Sequence, residues 1–173
     1  MAKADESVAV ELSPGQYNVV ADRSSAHLSV KGALGSIQAQ IPFHRGAVEV
    51  GGDGQIASAS ATLDARGLSS KNSFVEKQLR GRTGLDVDNH AEAHFAATSA
   101  QFSGDVLTIR GTLTVKGISK PIALQGAVKN ARARRFVAAL EGEIDRTEFG
   151  ITAGRPLYGK QASVRLNLVV RKP

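Results

Sequence analysis

The chain has no cysteine, which excludes disulfides, thiolate metal sites and a cysteine nucleophile. It has no tryptophan either, and aromatics make up only 5% of its 173 residues. A core built from Val, Leu, Ala and Gly in place of large rings is expected to leave volume unfilled. No apolar run approaches the roughly 20 residues of a membrane-spanning helix, so no transmembrane segment is expected. Met1 to Pro14 carries Lys3, Asp5, Glu6 and Glu11 and lacks the apolar core of a secretory signal, so it reads as a loose tail. As written, the chain is expected in the cytoplasm; as a mature form it would belong in the periplasm or outside the cell. There is no Gly-x-Ser-x-Gly elbow and no Gly-rich loop opening a helix, which removes serine-hydrolase, phosphate-loop and dinucleotide readings. Asp22, Asp145 and Glu148 have no partner carboxylate at a defined separation, so glycoside hydrolysis is unsupported.

What is present is an ordinary globular composition, 42% hydrophobic and 22% charged, at a length that suits one domain from Gly15 onward. Basic residues outnumber acidic ones, 22 to 16, and the net charge of +6 favours an anionic ligand, membrane surface or nucleic acid. The densest basic cluster is Lys129, Arg132, Arg134 and Arg135. Without interleaved aromatics to stack on bases it reads as a solvated hairpin loop, and nucleic acid is not an expected partner.

Strand periodicity dominates the rest. Leu107, Ile109, Leu113 and Val115 alternate with Thr108, Arg110, Thr112 and Thr114, the two-residue period of a strand with one apolar face. Lys116, Gly117 and Ser119 read as a turn, Pro121 as the first position of the returning strand, and Ile122, Leu124, Gly126 and Val128 as its apolar face. The same alternation recurs in Tyr17 to Ala21, in Ala26, Leu28 and Val30, and in Ala57, Ala59, Ala61 and Leu63. A longer strand covers Ile37 to Val50, with Pro42 marking an edge or bulge, and others cover Ala93 to Phe102, Phe136 to Asp145 and Ser163 to Val170. One short helix interrupts them. Ser73 to Glu76 fits a capping box, Val75 and Leu79 lie four apart beside Phe74, and Gly81 supplies the stop. A helix of roughly eight residues cannot stand alone in water, so this face must dock, most simply on the open end of a barrel. The expected fold class is all-β: an antiparallel β-barrel of about eight strands with one short helix near the barrel mouth. A two-sheet sandwich is the alternative.

Four segments resemble the YceI-like family, lipocalin-like polyisoprenoid-binding proteins. Gly111 to Leu124 is the most recognisable, followed by Asp22 to Val30, Asp86 to Phe95, and Arg146-Thr-Glu-Phe-Gly-Ile151. The helix departs, with Val75-Glu-Lys-Gln-Leu79 where the family commonly has Arg-Asp-x-His-Leu. The resemblance implies a lipocalin-like barrel, often a homodimer, that holds a long isoprenoid chain or similar lipid such as a quinone, with no catalysis and no cofactor. Its expected ligand-binding residues are Leu28 and Val30 early in the chain, Phe74 and Leu79 on the helix, and Phe95, Leu113, Val115 and Leu124 in the middle strands. Phe149, Ile151, Leu166 and Leu168 complete the set. Small side chains at Ala57, Ala59, Ala61 and Ala97 would leave the tube hollow. The competing reading is an interaction module, a filled barrel that binds a partner on its surface.

His90 and His94 stand four apart around Glu92, but on a strand His94 points away from Phe95, and a structural zinc site wants four ligands. They read as solvated histidines, as do His27 and His44, and no metal is expected. Arg146 reads mainly as structural, sharing a strand face with Glu148, with a headgroup phosphate as its alternative partner. Phe149 is read evenly as pocket or core.

Overall fold

The computed structural model describes residues 12–33 and 35–173, so most of the expected tail lies outside the described residues. Nine strands follow in order: β1 (Gly15–Val19), β2 (Ser25–Gly32), β3 (Gly35–Val50), β4 (Ile56–Asp64), β5 (Glu92–Ser103), β6 (Val106–Val115), β7 (Ile118–Arg132), β8 (Arg135–Asp145) and β9 (Tyr158–Arg171). Neighbours pair in the order β3-β2-β9-β8-β7-β6-β5-β4, and β4 returns to β3, so the sheet closes as a barrel and the sandwich is excluded. β1 adds no ninth stave. It pairs with β3 at Gly15↔Val50 and with β9 at Val19↔Val170, while β2 takes the remaining lengths of the same two strands. The two are one stave broken by a 3₁₀ turn at Ala21–Arg23. Ser24 bridges the break: its hydroxyl donates to the Val20 carbonyl at 2.8 Å and accepts from the Val169 amide at 3.0 Å. The donors of an interrupted ladder thus keep partners.

Strand phase is where simple alternation fails. A bulge between Glu49 and Val50 opposes Ser58 and Ile56, so Ile56 is buried and Ala57, expected inward, is exposed. Beside Pro42 a second bulge falls between Phe43 and Arg45, which puts Phe43 and Val48 on one face although they are five apart. The β6–β7 connection is only Lys116-Gly117, with φ of 54° and 75°, a tight hairpin turn. Pro121 therefore sits inside β7, not at its start. β8 pairs with β7 only from Gln125 onward, so at Pro121 one side of the strand is unpaired and a missing donor costs little.

Helix α1 (Ser73–Arg80) is capped by Asn72 instead of Ser73: Asn72 Oδ1 accepts from the Phe74 and Val75 amides at 3.0 and 3.2 Å. Glu76 reaches back past the cap to the Ser70 amide. Among the described residues no helix is long and apolar enough to cross a membrane. The basic cluster occupies the tip of the β7–β8 hairpin, where Lys129, Arg132 and Arg134 are exposed.

Candidate functional site

Because every pairing is antiparallel, the connections β2–β3, β4–β5, β6–β7 and β8–β9 all gather at one end of the barrel. The β4–β5 connection contains α1, so this is the helical end. The barrel interior is packed at both ends and open between them. At the far end Leu12, Tyr17, Val50, Phe136 and Val170 fill the tube. The Tyr17 ring meets Phe136 edge-on at 5.0 Å, and its hydroxyl donates to the Ser13 carbonyl at 2.6 Å. Leu12, in the stretch read as a tail, is only 4% exposed. At the helical end Leu68, Leu85, Val87, Phe149 and Ile151 form a second core, with Leu79 of α1 packed on it.

Between these cores lies a cavity of about 150 Å³. Among the described residues on its wall Ser60 is the only polar one, and no titratable side chain reaches it. Eight of the expected ligand residues are on that wall: Leu28, Phe95, Leu113, Val115, Leu124, Ile151, Leu166 and Leu168. The other four lie elsewhere. Val30 is buried off the wall, Leu79 and Phe149 belong to the helical-end core, and Phe74 points to solvent at 68% exposure. Ile41, Phe43, Ile109, Ile144 and Val164 line the cavity without having been singled out. Ile109 and Val164 were legible as in-phase members of their strands, whereas the bulge at Phe43 hides its phase. Of the small residues, Ala59 and Ala61 do line the space, and Ala97 packs on the far-end core.

Gly111 faces inward beneath Phe95. A Cβ there would lie 2.6 Å from the Phe95 ring and closer still to the Ala96 carbonyl, so only glycine lets the ring and the β5 backbone approach β6 this closely. Gly111→Ala is expected to cost about 1–3 kcal/mol, read from urea unfolding, and to push Phe95 into the lumen.

Arg146 closes the helical end from inside. It is 3% exposed and lies in a 3₁₀ turn, Arg146–Phe149, which corrects the expected strand pairing with Glu148. Its Nε donates to Gly159 O at 2.9 Å, Nη1 to Ile151 O at 3.0 Å and Ala153 O at 2.8 Å, and Nη2 to Tyr158 O at 3.3 Å. Burial depresses its pKa, with the nearby Arg155 adding to the effect. The guanidinium thus ties down the β8–β9 connection, and its four hydrogen bonds all go to backbone carbonyls. That connection is sewn to the next one, since the Thr152 and Ala153 amides donate to Thr83 O at 2.8 and 3.0 Å. Lys116 Nζ joins both, reaching Arg82 O at 2.8 Å and Gly150 O at 3.0 Å.

Asp145 caps the same turn, accepting from the Thr147 amide and hydroxyl, and the hydroxyl bond holds its pKa below the ordinary 3.8. A depressed folded pKa gives a stabilisation that is present above the unfolded value and lost as pH falls through the folded one. The stability gap between the parent and Asp145→Asn is therefore expected to be open at pH 7 and to close on acidification below about pH 4, read from urea midpoints.

His94 points outward, its Nδ1 3.2 Å from Thr62 Oγ1 and its Nε2 3.8 Å from Glu92. Among the described residues no group of three His, Cys, Asp or Glu side chains is placed to hold a metal.

Comparison with known proteins agrees with this architecture. Over 98 residues the chain is 29% identical to Protein YceI of Salmonella arizonae and equally to that of Salmonella newport. Those matches take in 54% of this chain, and the chain spans about half the length, 51%, of the curated relatives it matches. In fold it is similar to Burkholderia cenocepacia BcnA, with a TM-score of 0.77 at 18% identity over 87% of this chain and 98% of the other. It is also similar to a polyisoprenoid binding domain from Saccharophagus degradans implicated in plant cell wall breakdown, with a TM-score of 0.67 at 15% identity over 91% and 98%. The YceI-like domain matches residues 17–170, from the first strand to the last, and the chain belongs to that family.

Proposed function

We propose that the barrel binds an apolar molecule in its lumen, a polyisoprenoid, quinone or similar lipid chain, and stores or carries it without chemical change. The carrying observation is the unfilled apolar space between two packed ends. An apolar cavity of this size stays dry and accepts apolar guests, because water there would forfeit its hydrogen bonds. Each buried CH₂ contributes roughly 0.8 kcal/mol before ordering costs, so the tail supplies the affinity. With no titratable group among the described residues of the wall, the lumen offers no acid or base for catalysis and no charged partner for a polar headgroup, which belongs at an end of the tube. The resting space fits a short segment only. A longer chain needs the partly buried Leu28, Phe95, Leu113, Ile122, Leu166 and Leu168 to swing aside. The limited resting volume favours one competing reading, a filled barrel acting through its surface. Organic extraction of purified protein followed by mass spectrometry separates the two: a lipid recovered in about equimolar amount supports the carrier, and no lipid with no uptake of a fluorescent prenyl probe supports the surface module.

A further inference from the structure

Among the described residues three large hydrophobic side chains are exposed: Phe74 at 68%, Leu157 at 64% and Ile118 at 37%. They come from three different connections or strand starts, α1, the β8–β9 connection and the first residue of β7, and the topology puts all three at the helical end. Each is flanked in sequence by cations. Phe74 lies between Lys71 and Lys77, Leu157 between Arg155 and Lys160, and Ile118 two residues before Lys120 and two after Lys116, whose ammonium is held by the Arg82 and Gly150 carbonyls. Lys77 shares the Phe74 side of the helix, being three residues on. The connections at this end, residues 65–91, 116–117 and 146–157, hold seven lysines and arginines besides the buried Arg146, against four acids; of the seven, Arg66, Arg80 and Lys116 also donate to backbone carbonyls.

We propose that the helical end docks on the surface of an anionic lipid bilayer, with Phe74, Leu157 and Ile118 inserted among the acyl chains and the flanking cations on the headgroups. Apolar side chains that leave water are stabilised at the headgroup and acyl boundary, and neighbouring lysines and arginines add attraction to anionic lipid. Neither feature alone suffices, and the rest of the molecule separates them. The β7–β8 hairpin at the far end is as basic, with Lys129, Arg132, Arg134 and Arg135, but carries no exposed large hydrophobic side chain among the described residues. Among the described residues only the helical end combines both. Its orientation rests in part on the carrier reading, since docking there would hold the tube end-on to a reservoir of lipid.

The absence of native tryptophan makes Phe74→Trp the single tryptophan, placed at the contact and excited selectively over the two tyrosines. On vesicles of phosphatidylglycerol and phosphatidylcholine its emission is expected to shift to the blue and to be quenched by brominated acyl chains, with neither change on phosphatidylcholine alone. In co-sedimentation, the exposed-site double variant Phe74→Ser, Leu157→Ser is expected to bind anionic vesicles at least tenfold more weakly, and Arg132→Glu, Arg134→Glu within about twofold of the parent. Failure of the parent to bind these vesicles, including the case in which it captures only a soluble protein, overturns the proposal. So does binding that survives in the serine variant, or that is lost in the hairpin variant. Uptake of a prenyl probe from vesicle-free solution is measured alongside. Uptake without vesicle binding removes the docking proposal and leaves the carrier reading standing.

Discussion

Leu113→Arg is expected to lower the affinity for a prenyl probe at least a hundredfold while the barrel stays folded. Leu113 lies on the cavity wall in β6, opposite Phe95 on β5. An arginine there introduces a charge into a space with no carboxylate on its wall, where the one polar residue, Ser60, is exposed to solvent between the lumen-lining Ala59 and Ala61. Burying an unpaired charge costs several kcal/mol, so the side chain will reach for water through an end of the tube and fill the space the ligand needs. Affinity falls for either reason. The control is Thr112→Arg, one residue away on the outward face of the same strand, for which binding should stay within about twofold. Circular dichroism and a urea midpoint establish that each variant is folded. Unchanged probe binding in a folded Leu113→Arg protein would remove Leu113 from the ligand path.

The second large effect concerns stability. Arg146→Met keeps most of the side-chain volume but removes donors to four carbonyls, those of Ile151, Ala153, Tyr158 and Gly159. A buried acceptor left unpaired costs about 1–3 kcal/mol, while relief of the buried charge returns part of that. The net loss is expected to be about 3 kcal/mol, a fall in Tm of roughly 6–12 °C for a domain of this size. Arg146→Lys should fall between, since one ammonium cannot serve the whole set of carbonyls. Differential scanning calorimetry reads both. A headgroup-binding arginine would show the opposite pattern, with Tm nearly unchanged and ligand affinity reduced.

The closed barrel was legible because inward and outward residues alternate on most strands and the turns are short. The cavity was legible in kind but not in extent. Leu166, Leu168 and Leu113 follow directly from alternation, and the structure places them on the wall. Ala57 and Ile56 exchange faces at a bulge, which no composition signal marks. Phe74 reads as a docking residue because it is apolar and adjacent to Val75 and Leu79, yet it lies on the solvent side of α1. An eight-residue helix is too short for its apolar period to fix which side is covered. For Arg146 the residue types suggest a strand, whereas a 3₁₀ turn capped by Asp145 turns the guanidinium inward. Its partners are backbone carbonyls, and side-chain identity says nothing of where those carbonyls point.

The central claim is that this lumen takes up an apolar chain, and its most direct test is calorimetric titration with isoprenyl and n-alkyl alcohols of increasing length. At roughly 0.8 kcal/mol per CH₂, affinity should rise about fourfold for each added CH₂ until the tube is full and then level off. No binding by any member, or binding that does not strengthen with length, would contradict the account.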